Sequence, residues 1–412
     1  MSPLERDSSH EIYDVVVIGA GILGLATARQ LLIDHPAIRL SVIDKEPVIA
    51  AHQTGHNSGV LHAGLYYAPG SLKAQLCRTG KTMLEGYASE RGIPFDYCGK
   101  LVIATDGAQL AGLDELHRRG EANGVPDLEF LGPAGLRDIE PHATGVRALW
   151  SPSTAIVDYK AVAAAMTDDV RTSGGTIHLG AEVTGIVQHP GHLGIEGPFG
   201  SLATRNVIAC AGLHADRVSQ MTGSPSPETM VPFRGDYYTL APSARGLVRG
   251  LIYPVPDPRF PFLGIHLTRR IDGAVLAGPN AVLATHREGY RRRDFGSADM
   301  RALISDPGFR RMARRYWRTG LGEMWRDVDK SAFTRAVQEF VPEIKRQDLQ
   351  WGPSGVRAQA IDPDGSLVDD FRLGTDGRIM HVRNAPSPAA TASMAIARRL
   401  VDQALHQFTG LP

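Results

Sequence analysis

Gly19, Gly21 and Gly24 stand in a GxGxxG arrangement within VVVIGAGILGLATARQL, directly after an apolar, β-branched run. That spacing suits a dinucleotide. The first glycine allows a tight turn, the second lets backbone approach the pyrophosphate, and the third lets helix and strand pack closely. The helix that opens there turns its N-terminus toward the phosphates. Asp44 follows at the end of the next apolar run, where a carboxylate accepts from ribose hydroxyls and repels a 2′-phosphate. The motif alone does not separate FAD from NAD.

Histidine suits proton transfer near neutral pH. In PFLGIHLTRR, strand alternation puts Phe262, Gly264, His266 and Thr268 on one face and Leu263, Ile265 and Leu267 on the other. The aliphatic face is the one that packs, so His266 is expected to point the opposite way. His62, in HQTGHNSGVLHAG, is its rival and His56 a weaker third. No acidic or cysteine ligand accompanies His56 and His62, so no metal site is expected. Arginine supplies a planar fork that holds a carboxylate by two hydrogen bonds, and Arg357 in SGVRAQ and Arg383 in HVRN are candidates.

The elements that must position these residues follow from the apolar pattern. Tyr13 to Ile18 reads as a strand, Ile22 to Leu32 as a helix and Leu40 to Ile43 as a second strand, the opening of a doubly wound sheet. Tyr159 to Thr172 reads as a helix, and Thr176 to Leu179 and Asn206 to Ala209 as strands returning to that sheet. Between Pro232 and Pro279 the pattern turns to alternating strands with Pro and Gly punctuation, which predicts an antiparallel sheet with one face covered. A strand, a loop and a helix from Ala389 to His406 close the chain. A basic segment from Phe309, FRRMARRYWRTGLGEMWRD, reads as a helix with Phe309, Met312, Ala313, Tyr316 and Trp317 on one side, limited in length by Gly320 and Gly322. Its arginines suit either solvent or an anionic membrane surface.

The whole-chain figures narrow the field. With 44 basic and 44 acidic residues among 412, no global charge draws the protein to nucleic acid. Cys77, Cys98 and Cys210 lie far apart and form no CxxC pair, which predicts a reducing compartment. The N-terminal MSPLERDSSHEIYD has no apolar core, and no stretch reaches the roughly 18 apolar residues of a membrane span. A cytoplasmic protein is expected, with peripheral membrane contact through the basic segment as the alternative.

The segment HQTGHNSGVLHAGLYYAPGSLKAQLCRTG resembles the flavin-facing loop of the D-amino acid oxidase superfamily, and in detail the L-2-hydroxyglutarate dehydrogenase/oxidase family. PFRGDYYTL, YPVPDPRFPFLGIHLTRRIDGAVLAGPNAVLA, GPSGVRAQAIDPDGSLVDDF and HVRNAPSPAAT carry the same resemblance across nearly the whole chain. The resemblance implies an α/β fold of the glycine-oxidase type: a Rossmann-type FAD-binding domain with an inserted antiparallel-sheet substrate domain. It implies FAD as cofactor and oxidation of L-2-hydroxyglutarate to 2-oxoglutarate, with a quinone or oxygen as electron acceptor. Flavin contacts are then expected from Gly19, Gly21, Gly24, Asp44, Lys45, Thr54, Asn57, Ser58, Val183, Ala211, Gly212, Ser387, Ala389 and Ala390. The last three are expected at a helix start beside the pyrimidine of the flavin.

In relatives of the superfamily the position of Arg357 holds the substrate carboxylate, and that of His266 a polar residue over the flavin. His62, His266 and Arg357 are therefore the expected catalytic set. For the second carboxylate of a glutarate, Arg234, Lys100 and Arg259 remain open. The FAD-binding domain is expected from 1–95, 150–225 and 345–412, and the substrate domain from 96–149 and 226–344. An amine or amino-acid oxidase on the same fold and a non-catalytic flavin-binding redox sensor are the alternatives.

Overall fold

The structure, a computed structural model, describes residues 12–223, 225–257 and 263–408. The chain divides into two compact units, one built from 1–55, 159–231 and 358–412 and the other from 56–158 and 232–357. Residues 56–95, expected with the nucleotide-binding segments, fall in the second unit. Val60–Leu61 pairs antiparallel with Ala155–Val157, and Val60 and Leu65 are buried with Val102, Leu113 and Tyr253.

The first unit is built on parallel strands in the order Thr176–Leu179, Leu40–Asp44, Tyr13–Ile18, Gly200–Ala209 and Ile379–Asn384. Every residue of Tyr13–Ile18 is buried. A central parallel strand is covered on both faces, so its sequence runs apolar without alternation. Gly185–His189 and His192–Gly197 extend Gly200–Ala209 as an antiparallel meander. Helices Ile22–Asp34, Tyr159–Thr172 and Ser393–Gln407 lie together in this unit. The last begins at Ser393 rather than Ala389, because residues 387–392 form turns with Ala389 N donating to Pro386 O and Ala392 N to Pro388 O.

The second unit carries a mixed sheet in the order Val282–Leu283, Thr229–Leu240, Val275–Gly278, His266–Arg269, Leu251–Pro254, Lys100–Ala104, Arg147–Ser151 and Glu129–Leu131, with Leu349–Ile361 also on Thr229–Leu240. Leu251–Pro254 runs parallel to Lys100–Ala104, while the other pairs along the path from Val282–Leu283 to Glu129–Leu131 are antiparallel, as expected. Both faces are covered, not one. Leu101, Ile103, Ile252, Leu267, Ala277 and Tyr238 bury one face with Phe333 and Val337 of the helix Lys330–Gln338. Val102, Ala104, Leu251 and Tyr253 bury the opposite face with Leu113 and Leu116 of the helix Leu110–Ala122.

The basic helix spans Pro307–Val328 and passes through Gly320 and Gly322 without ending. A glycine inside a helix lowers its stability by about 1 kcal/mol and does not forbid it. Phe309 and Met312 are buried as the pattern predicts, whereas Trp317 is 55% exposed.

Candidate functional site

In the first unit the fingerprint glycines meet their geometric demands. Gly19 has φ +109°, and a Cβ there would lie 2.4 Å from Cys210 O; one at Gly24 would lie 1.8 Å from Gly19 O. Only glycine fits either position. A Cβ at Gly21 would find Thr54 Oγ1 at 3.4 Å and nothing nearer, so its hydrogen leaves the turn open for close approach. Gly21 caps the helix Ile22–Asp34 without a side-chain hydrogen bond. Thr54 Oγ1 accepts from Ile22 N at 3.0 Å, and Asp44 accepts from Ala20 N at 2.6 Å and Glu46 N at 2.9 Å. Asp44 is thereby fixed at the strand end, while the Lys45 ammonium pairs with Glu46.

The second unit assembles a separate polar set through strand register. Leu251 pairs with both Lys100 and Thr268, His266 with Gly278, and Thr239 with Leu276, itself the partner of Thr268. Paired residues and their i+2 neighbours share a face. Lys100, Tyr253, His266, Thr268 and Tyr237 therefore lie on one face, opposite Leu101, Ile252, Leu267 and Tyr238. His266 stacks on Tyr253 at 4.0 Å between ring centroids, and its Nδ1 meets Gly264 O at 2.9 Å. The contact with a carbonyl makes Nδ1 the protonated nitrogen and leaves Nε2 with its lone pair. Lys100 Nζ lies 4.1 Å from the Tyr253 ring centroid and 5.1 Å from that of Tyr66.

Burial sets the charge state of this set. It lowers His266 to about 3 and His62 well below the usual histidine range, and nearby Lys100 lowers both further. Both rings are neutral near pH 7. Burial likewise lowers Lys100 to about 7 and raises Tyr237 to about 12. Arg357 retains exposed surface but is ringed by protein, which lowers its pKa, opposed by the charge of Tyr237. Ser58 hydrogen-bonds to Tyr237 and Tyr253.

Residues 14–403 match the family model described as FAD dependent oxidoreductase. The L-2-hydroxyglutarate dehydrogenase of Escherichia coli K12 is 45% identical over 95% of this chain and 93% of its own length. The mitochondrial L-2-hydroxyglutarate dehydrogenase of Nematostella vectensis is also 45% identical, over 97% and 92%. This chain belongs to the L-2-hydroxyglutarate dehydrogenase family of FAD-dependent oxidoreductases. The L-α-glycerophosphate oxidase of Mycoplasma pneumoniae, solved with FAD bound, shares the fold with a TM-score of 0.78 at 20% identity, covering 98% of this chain and 97% of that one. Glycine oxidase from Geobacillus kaustophilus does so at 0.71 and 17%, covering 97% and 96%. The glycine-oxidase type of fold is thus as expected. The amino-acid oxidase alternative has only this fold-level likeness behind it, whereas family membership favours the hydroxy-acid reading.

The residues of the first unit fit the family's cofactor: a helix N-terminus whose cap residue, Gly21, carries no side chain, together with a fixed Asp44, suits a dinucleotide pyrophosphate and ribose. Val183 packs partly buried beside Ala181 on the same unit, and Gly212, φ +52°, follows Ala211 at the strand end. Ser387, Ala389 and Ala390 lie in the turns before the last helix rather than at its start. Asn57 belongs to the second unit, where its Oδ1 accepts from Gly59 N at 2.8 Å. His56 meets Ser354 O through Nδ1 at 2.8 Å and stands 4.2 Å from the Tyr290 ring.

Of the arginine candidates, Arg383 lies in the first unit against Gly374, on a different unit from Arg357. Arg234 is buried and paired with Asp236 at 3.1 Å. Arg259 and Phe262 fall outside the described residues. Sequence reasoning missed Tyr66, Tyr237 and Tyr253. The alternation of Tyr237 with Tyr238 and of Ile252 with Tyr253 was the available signal, since each pair divides an apolar-packed ring or chain from one that joins the polar face.

Proposed function

We propose that this protein oxidises L-2-hydroxyglutarate to 2-oxoglutarate with FAD as its cofactor. Family membership supplies the reaction, and the observation that carries it to residues is the sheet face of the second unit on which Lys100, Tyr237, Tyr253, His266 and Thr268 come together. When bound, FAD would supply the two-electron acceptor for the hydride that leaves the carbinol carbon. Arg357 holds the carboxylate beside the hydroxyl by two parallel hydrogen bonds. A neutral imidazole takes the hydroxyl proton as the carbonyl forms. His266 is assigned this role because the Gly264 carbonyl leaves its Nε2 as the acceptor, with His62 as the second candidate.

We assign a quinone in a membrane as the electron acceptor, with oxygen as the rival. Support comes from the Pro307–Val328 helix, on which Arg310, Arg311, Arg314 and Arg315 are exposed. Exposed Phe295, Ile304 and Trp317 accompany them. Among the described residues no helix is long and apolar enough to cross a membrane, so any contact made this way is peripheral. The proposed reaction is tested by anaerobic mixing of the purified protein with each enantiomer of 2-hydroxyglutarate. The L form is expected to bleach the flavin's visible absorbance and the D form to leave it. Bleaching by glycine or sarcosine in place of the hydroxy acid would sink the reading.

A further inference from the structure

The substrate proposed above is a dianion, and the inference here rests on that reading. Arg357 answers the carboxylate beside the hydroxyl, so a second cation is needed for the other. Arg234 already has Asp236 at 3.1 Å, and Arg292 reaches the same carboxylate at 3.3 Å. Arg234 is thus already engaged, its guanidinium donating to Asp236 and to the Arg291 carbonyl.

Lys100 is different. It is 1% exposed, it opens the strand Lys100–Ala104, and it shares a sheet face with His266 and Tyr253. Among the described residues, no carboxylate lies within ion-pair distance of its Nζ. The titratable groups that face it are Cys77 from the helix Leu72–Glu90, Cys98 from its own approach loop, Tyr253 and His266 from neighbouring strands, and His62 and Tyr66 from the loop after Val60–Leu61. None is an anion near pH 7, because burial raises Cys77 to about 12, Cys98 to about 11 and both tyrosines above their usual value.

Two aromatic faces offset part of the lost hydration of an ammonium, but not a whole charge. A lysine held this way, against two aromatic rings and with no carboxylate beside it among the described residues, carries a charge that an arriving anion can answer. We propose that Lys100 binds the distal carboxylate of the dicarboxylate substrate and so sets the preference for a dianion over a monocarboxylate. Burial lowers its pKa to about 7, so at pH 8 the free amine predominates and a bound carboxylate draws a proton onto it.

The first test uses the FAD-loaded parent protein and glutarate, which has both carboxylates and no hydroxyl. Calorimetric titration at pH 8 in buffers of different ionisation enthalpy is expected to show uptake of about one proton per site. Binding of glutarate without proton uptake would overturn the assignment. The second test compares L-2-hydroxyglutarate with L-2-hydroxypentanoate, which carries a methyl in place of the distal carboxylate. Lys100→Met is expected to lower the preference for the dicarboxylate, as a ratio of kcat/KM values, by about 100-fold. Lys100→Arg should restore part of it. A ratio within threefold of the parent's would overturn the proposal. Should Lys100→Met fail to hold FAD, the titration of the parent still decides. A parent that takes up the proton with glutarate yet does not oxidise L-2-hydroxyglutarate refutes the reaction and leaves the dicarboxylate subsite standing.

Discussion

At the scale of single residues, Arg357 and His266 make separable demands. Removing a bidentate anchor weakens capture, while removing a proton acceptor slows the step in which the proton moves. Arg357→Ala is expected to raise KM by about 100-fold or more, and His266→Asn to lower the rate of flavin bleaching by about 100-fold at unchanged FAD content. Rapid-mixing spectroscopy separates the two effects; a parent-like bleaching rate in His266→Asn, with His62→Asn slow, moves the role to His62. Lys100 has a second consequence, for stability. Its pKa is about 7 in the folded protein against an ordinary 10.5. Between those values the unfolded chain binds more protons than the folded one, so stability rises with pH across that window and the burial penalty is largest at and below pH 7. Lys100→Met removes the penalty. Its melting temperature should exceed the parent's, by more at pH 7 than at pH 10, and a gain independent of pH would show that Lys100 is not the group responsible.

At the scale of elements, the Pro307–Val328 helix is where the membrane proposal stands or falls. Four exposed arginines and exposed Trp317 suit an anionic interface. Co-sedimentation with anionic vesicles is expected at low salt and lost at high salt, and lost when Arg310, Arg311, Arg314 and Arg315 become glutamine. Equal sedimentation of parent and variant would refute the contact.

Which elements could be read from sequence follows from how locally each is determined. Tyr13–Ile18 falls where the apolar pattern puts it because burial on both faces of a parallel sheet leaves an unbroken apolar run, and Tyr159–Thr172 does so because its buried Tyr159, Val162, Ala163, Met166 and Val170 recur at helical spacing. The start of the last helix was placed four residues early, since apolar spacing does not reveal that Pro386 and Pro388 accept turn hydrogen bonds first. Glycine count misjudged the basic helix, whose length is set by cooperative hydrogen bonding along 22 residues rather than by Gly320 alone. Alternation rightly set His266 opposite Leu267, but Leu263, expected on the side of Leu267, packs instead with Val102 and Tyr253, because the strand begins only at His266. The choice among Arg234, Lys100 and Arg259 was not legible, because it depends on which strands become neighbours, although Asp236, two residues from Arg234 on the same strand face, was a visible sign of local pairing.

At the scale of the whole molecule, the nucleotide elements and the polar sheet face belong to different compact units, each with its own buried core. A dinucleotide held at the Gly19–Gly24 turn stabilises the state that binds it, in proportion to the logarithm of its concentration over Kd. That stabilisation should appear first in the backbone the cofactor touches. Hydrogen exchange of protein stripped of FAD and then reloaded is expected to slow most in the first turns of Ile22–Asp34 and at the end of Leu40–Asp44. The helix Leu110–Ala122, packed in the core of the second unit, should change least. Gly21→Asp places a carboxylate where the pyrophosphate would sit, so it should abolish both the colour and the protection while circular dichroism stays that of the FAD-free parent. Equal protection of both helices on reloading, or a yellow Gly21→Asp protein, would mean that the cofactor is held by something other than the glycine turn.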